Sequence, residues 1–396
     1  MIKPSDIKGL SQLATDSVSG ITNIVANMHK TIDRTPGLFG ATTLGPIGAI
    51  TDIVYQSIHA VNNVVRNGIE TIVEQIEPLF EDKITSLPER EAILAAINGV
   101  LGDYLVEQKN PLALPMTLKY KGKPLNLETL DINTQIPEFS GKLIVLVHGL
   151  CMNDNQWLYN NHDHGQNLAN DLKYTPLYLH YNTGLHISIN GRSFSDMLEK
   201  LLTQIRVKKF VILTHSMGGL ITRSAYHYGV SSGYKWPSLL KKQIFLGTPH
   251  HGAPLEQGGN WINTLLDFIP HTAPFASLPK IRSAGITDLR YGSLLDEDWQ
   301  SNDRFDNIPD NRHPIPLPQK VKNYAIAANI SLDQESLKND IIGDGLVPID
   351  SALGKHPKPE YCLSFPESNC WIGYGLNHLD LLCHASVYDK IKQWCS

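Results

Sequence analysis

Three residues far apart in the chain have the types and settings that nucleophilic acyl chemistry requires: Ser216, Asp344 and His378. Ser216 sits in Thr214-His215-Ser216-Met217-Gly218-Gly219, after the β-favouring run at 210–213 and before a helix-favouring run at 220–228. The serine therefore falls at a sharp turn from strand to helix. A serine hydroxyl is a poor nucleophile until a base takes its proton, and such an elbow lifts it clear of the sheet to meet base and substrate. The turn also aims a helix N-terminus at the place where an oxyanion forms. Gly218 and Gly219 supply small residues where strand and helix approach; the first glycine of the usual GxSxG pattern is Thr214 here. Taken alone, Ser216 also fits as the cap of an ordinary helix.

Asp344 lies in a tight, glycine-flanked loop, Gly343-Asp344-Gly345-Leu346-Val347-Pro348, behind a strand, and His378 opens a late segment, Asn377-His378-Leu379-Asp380. Serine, acid, histidine is the chain order of a nucleophile elbow, an acid loop and a histidine loop carried on one α/β sheet. In that geometry His378 takes the serine proton and returns it to the leaving group, while Asp344 holds the ring tautomer. The oxyanion is held by the backbone N–H of Met217 and of Leu150, the latter just after His148-Gly149. Asp340 and Asp350 are rival acids, although neither sits between glycines directly after a strand. His148 reads as a structural hydrogen-bonder, His250-His251 as shaping a turn, and Cys151 as a bystander beside the oxyanion position. His162-Asp163-His164 lacks a matched third ligand and reads as surface residues rather than a metal site.

These groups need a scaffold that gathers them. Apolar strand-like runs at 141–149, 175–181, 210–213, 242–246 and 321–329 alternate with helical segments near 167–172, 193–205 and 220–228. That cadence means an α/β fold with a mostly parallel, helix-covered sheet, and active sites on such sheets lie at the carboxyl ends of the strands. A hairpin is expected from 112–120 and 123–127, and a closing helix over 385–394. Between 250 and 318 the alternation is lost, apart from a helical run at 261–269, which predicts a lid or cap insertion. Residues 1–110 form an N-terminal helical region and 111–396 the α/β domain. Amphipathic periodicity spans 5–32 and 50–76, and Ser86-Leu-Pro-Glu89 is a capping box that starts a third helix towards Tyr104. The first two helices either pack on each other and on the downstream domain or lie on a lipid surface as a peripheral membrane contact. Their polar faces are acidic or neutral, which favours packing.

The 396 residues are 42% hydrophobic and 18% charged, a composition that supports a sizeable core. Thirteen acids against eight bases in the first 110 residues account for the whole net charge of −5, and no basic run suggests nucleic acid. Five cysteines without a CxxC pair are compatible with reduced thiols, with Cys362 and Cys370 able to bracket a loop in an oxidising compartment. No secretory signal pattern and no apolar run of spanning length is apparent, so a cytoplasmic protein is the expectation.

Together, His148-Gly149, Thr214-His-Ser-Met-Gly-Gly219, Gly247-Thr-Pro-His-His-Gly-Ala-Pro254, Asp344-Gly-Leu-Val-Pro348 and Asn377-His-Leu-Asp380 resemble the motif series of α/β-hydrolase lipases and esterases. Bacterial triacylglycerol lipases and hydrolases related to glycosylphosphatidylinositol inositol-deacylases are the likenesses. The resemblance covers about residues 140–396. It implies an α/β-hydrolase fold, a Ser216–Asp344–His378 triad, oxyanion groups at Leu150 and Met217, and a lipid or other small ester substrate cleaved without a cofactor. Some lipases of this kind place calcium near the histidine loop, which here would use Asp380. Acyl transfer or amide hydrolysis on the same triad is an alternative. So is an inactive scaffold that docks to membrane or protein through its N-terminal helices.

Overall fold

The computed structural model describes residues 87–128, 132–252, 283–300, 309–332 and 343–396, with positions 5, 6, 8, 9 and 12. Of the helix expected over 5–32 only those five positions are described, all helical; the helices expected at 50–76 and 261–269 lie outside the described residues.

One sheet of eight described strands organises the chain: β1 (Thr117–Tyr120), β2 (Lys123–Pro124), β3 (Lys142–Val147), β4 (Thr175–His180), β5 (Lys209–His215), β6 (Leu240–Leu246), β7 (Lys322–Asn329) and β8 (Cys370–Tyr374). Their order is β2-β1-β4-β3-β5-β6-β7-β8. Pairing is parallel from β4 through β8, whereas β1 runs antiparallel to both β4 and β2. The central strands are apolar on both faces because helices cover both: Leu143 to Val147 and Ile212 and Leu213 are fully buried. The expected hairpin forms around Lys121 and Gly122, but its second strand is only Lys123 and Pro124, both exposed.

The main helices are α1 (Leu87–Glu107), α2 (His164–Leu172), α3 (Ile187–Gln204), α4 (Gly218–Ser231) and α5 (Ala385–Cys395). Two start earlier than the apolar periodicity indicates, and each has a capping reason. Asp163 accepts the Gln166 N–H at 2.9 Å and so starts α2. The buried carboxylate of Asp288 accepts the Ile187 N–H at 2.8 Å, so α3 is capped from a distant segment that no local pattern reveals. α3 and α4 lie side by side because Gly191 has no side chain: a Cβ there would stand 2.3 Å from Ser224 Oγ.

α1 belongs to the main core. Ile93, Ile97, Val100, Leu101 and Leu105 join the same apolar cluster as β3, β5, β6 and β7. Buried Asn98 staples the helix to the segment that follows it, donating to Leu94 O and Leu112 O at 2.8 Å and accepting from Leu114 N at 2.9 Å. Among the described residues no helix is long and apolar enough to cross a membrane.

Candidate active site

Ser216 caps β5 at φ 54°, in the left-handed region that residues with a Cβ rarely occupy. Its N–H is held by Leu246 O at 2.8 Å, and α4 begins two residues later with no side-chain cap. The elbow is tight on both sides. A Cβ at Gly149 would lie 2.9 Å from Ser216 Cβ, and one at Gly218 would lie 2.4 Å from Val147 O. Thr214 is tolerated in place of the usual glycine because its hydroxyl turns aside and donates to Ile244 O at 3.3 Å.

Across β6 and β7, the acid and histidine loops meet. His378 Nδ1 and Asp344 Oδ2 are 2.7 Å apart, and the His378 N–H donates to Asp344 O at 3.1 Å. The other carboxylate oxygen, Oδ1, accepts from Leu346 N at 3.0 Å and Val347 N at 2.8 Å, so the carboxyl plane is fixed by the backbone. Both flanking glycines are needed for this turn: Gly343 has φ 51° and Gly345 φ 93°, and a Cβ on Gly343 would lie 2.0 Å from Val347 O. Gly247, directly after the residue that holds Ser216, lies against the pair, a Cβ there being 3.1 Å from both Asp344 Oδ2 and His378 Cε1. The serine elbow, the acid loop and the histidine loop thus all lie at the carboxyl end of the sheet, with Ser216, Asp344 and His378 buried.

Two further histidines support the His378 loop, and sequence reasoning missed both. His215 stands beside it, ring centroids 4.6 Å apart, with Nε2–H donating to His378 O at 3.1 Å. His164 Nε2–H donates to Leu381 O at 2.9 Å, and His164 Nδ1 accepts from His162 Nε2–H at 2.8 Å. His164 is therefore a buried strut rather than the surface residue expected, stacked on Tyr388. Burial pushes its pKa down to about 3 and holds it neutral, as the donor–acceptor chain requires. Apart from the adjacency of His215 to the serine, nothing in the spacing marks either residue.

The Leu150 and Met217 N–H groups flank the elbow, and neither has a hydrogen-bond partner among the described residues. The loop that carries Leu150 is pinned on each side. Tyr181 OH donates to His148 O at 2.7 Å, and Cys151 N–H donates to Thr183 Oγ1 at 3.1 Å. His148 is buried against Tyr181, ring centroids 4.4 Å apart, with Nδ1 donating to Gly149 O at 2.9 Å; desolvation lowers its pKa to about 3. Burial also pushes the Cys151 thiol up to about 12, which leaves it unreactive.

Asp350 is exposed to solvent beside Lys355, at 3.7 Å, away from this cluster, and Asp340 lies outside the described residues. Asp380 Oδ2 accepts the Asn377 N–H at 2.8 Å and so braces the histidine loop. Among the described residues no three histidine, cysteine or carboxylate side chains form a cluster that could hold a metal. All five cysteines, including Cys362 and Cys370, are free thiols.

Residues 138–323 match the family described as PGAP1-like alpha/beta domain. No curated protein matches the chain. Among solved structures, the chain is similar to Bacillus licheniformis lipase BlEst2 in mature form, at 18% identity over 64% of this chain and 92% of that one, with TM-score 0.44. Aspergillus fumigatus lipase B is similar at 12% identity over 82% and 78% of the two chains, TM-score 0.39. Legionella pneumophila phospholipase PlaB is similar at 18% identity over 53% and 45%, TM-score 0.34. With its strand order, its serine elbow and this domain match, the chain has the α/β-hydrolase fold.

Proposed function

We propose that this protein is a serine hydrolase of carboxylic esters in which Ser216, His378 and Asp344 form the catalytic triad. Ser216 Oγ attacks the ester carbonyl as its proton passes to His378 Nε2, and the carbonyl π electrons move onto oxygen. The N–H groups of Leu150 and Met217 hold that oxyanion; donors of this kind are worth about 3–4 kcal/mol each in acyl transfer. Collapse breaks the ester C–O bond, and the alcohol leaves with the proton from His378. Water then adds to the acyl-enzyme with His378 again as base, releasing the acid and restoring Ser216.

The observation that carries this reading is the 2.7 Å bond between His378 and Asp344 beside a serine held at positive φ. Strain of that kind, about 1–3 kcal/mol, persists where the surrounding structure over-determines it, and active sites are where it clusters. The preferred substrates are esters of apolar acyl chains, lipids among them, a class that the length of the 250–318 insertion favours. Contact with a lipid surface, in this reading, is peripheral.

A fluorophosphonate probe is expected to label the wild type and leave Ser216→Ala unlabelled; no label on either protein ends the proposal. Aryl esters from acetyl to palmitoyl, with and without a lipid interface, then test the substrate class. A sharp optimum at acetyl without interfacial gain would remove lipids and leave short-chain esters.

A further inference from the structure

α1 precedes the sheet in sequence, yet it touches the loop that carries Leu150. Its small-residue edge, Asn98, Gly99 and Gly102, faces three loops at the carboxyl end of the strands. Gly99 lies on Cys151: a Cβ at 99 would stand 2.2 Å from Cys151 Sγ and 3.0 Å from Cys151 Cα. Cys151 is itself held at φ 57°, and its N–H donates to Thr183 Oγ1 at 3.1 Å. Gly102 abuts Asn182, whose Nδ2 donates to Gly102 O at 3.0 Å, and Gly184 sits so close to Asn98 O that a Cβ would be 2.1 Å from it. On the other flank Ser283 Oγ donates to Gly99 O at 2.6 Å, and Ala284 N–H donates to Asp103 Oδ2 at 3.0 Å.

These contacts differ from ordinary helix-on-core packing. One of the close approaches of α1 is to a loop residue in the left-handed region, Cys151, the immediate neighbour of Leu150. Leu150 is therefore clamped between two contacts without slack: Gly149 against Ser216 on one side and Cys151 against Gly99 on the other. A peptide gripped at both ends keeps its N–H direction, and an oxyanion donor needs that direction set before the reaction begins. The same helix also holds Ser283 and Ala284, so one element fixes the oxyanion loop relative to the described part of the 250–318 insertion.

We propose that α1 is part of the oxyanion machinery, with Gly99 and Cys151 as positioning residues that set the Leu150 N–H through the close contact between them. This rests on the serine hydrolase reading of Ser216 and Leu150. Neither positioning residue touches substrate. Their effect is on turnover, because the oxyanion exists only beyond the ground state.

The test compares wild type, Gly99→Ala, the double variant Gly99→Ala/Cys151→Gly, Thr183→Val and Thr183→Ser on one aryl ester. Active sites are counted by fluorophosphonate titration, and thermal melting is followed in parallel. The added Cβ at 99 displaces Cys151, so kcat per titrated site is expected to fall about ten- to a hundredfold, with KM little changed. Glycine at 151 removes Sγ and Cβ and accepts positive φ freely, so the double variant is expected to recover most of that loss. Thr183→Val, which removes the acceptor of the Cys151 N–H, is expected to lower kcat while Thr183→Ser retains it. This pair decides the matter if Gly99→Ala does not fold. Unchanged kcat per site in Gly99→Ala, or in Thr183→Val when that pair must decide, overturns the role of α1. A wild type that takes no label at Ser216 takes down the hydrolase reading and this proposal with it.

Discussion

Replacing Asp344 by asparagine changes one atom, and the surroundings dictate what that atom does. Oδ1 accepts two backbone N–H groups, Leu346 at 3.0 Å and Val347 at 2.8 Å. The amide oxygen of the introduced asparagine must stay there, because turning the NH2 towards two donors would leave buried groups unpaired at about 1–3 kcal/mol each. The NH2 is thereby forced to the Oδ2 position, facing His378 Nδ1 at 2.7 Å. Nδ1 must then accept, so the ring proton moves to Nε2 and the ring can no longer take a proton from Ser216. The ring has little freedom to escape, since its own backbone is held by Asp344 O and by His215 Nε2. In a Ser-His-Asp protease the same exchange lowers kcat by about 10⁴, close to 5 kcal/mol of transition-state stabilisation. We expect a loss of that order for Asp344→Asn in an aryl-ester assay normalised to folded protein, with a melting temperature near that of the wild type because size and the two backbone bonds are kept. A variant within tenfold of wild-type kcat, measured alongside an inactive Ser216→Ala, would refute the tautomer argument.

Further outcomes follow from the supports of the site. His215→Leu removes the Nε2–H that holds His378 O and should cut kcat about tenfold or more, whereas His215→Gln, whose amide N–H can fill the same place, should restore part of it; equal effects of the two would deny His215 a hydrogen-bonding role. Gly218→Ala drives a Cβ into Val147 O and should abolish the folded elbow, seen as a large drop in melting temperature; a well-folded, active variant would contradict the close approach. His148 and His164 are held neutral with pKa values of about 3, below the 6.5 of an exposed histidine. The unfolded chain therefore binds protons below pH 6.5 that the folded chain refuses, so stability is full above that pH and falls as pH drops towards 3, by roughly 1.4 kcal/mol per unit for each histidine. Urea midpoints between pH 6.5 and 4 should show this slope, shallower in His164→Gln; a flat profile would count against the buried neutral rings.

Much of the scaffold could be read from the sequence because β3, β5, β6 and β7 are apolar runs closed by sharp turn residues, and burial on both faces leaves little ambiguity. The glycine-flanked Asp344 was legible for a related reason: both glycines are required by positive φ. β8 escaped notice, since Cys370–Tyr374 is a short strand at the outer edge, only partly buried, with Gly373 inside it. The early start of α3 was hidden because its cap, Asp288, comes from a distant segment. His164 was misread for the same kind of reason: its burial and its bond to Leu381 O exist only once α2 is folded against the histidine loop. Local pattern reports what neighbours in sequence determine, and these three features are set by neighbours in space.

The short strand at the sheet's rim has a consequence for self-association. β2 is Lys123 and Pro124, paired only with β1, and proline has no N–H to offer an incoming chain. Among the described strands, β8 is then the one rim where another copy could add. Two sheets joined through a single competent rim make a closed pair and stop, so addition through the described strands would give dimers rather than an endless ribbon.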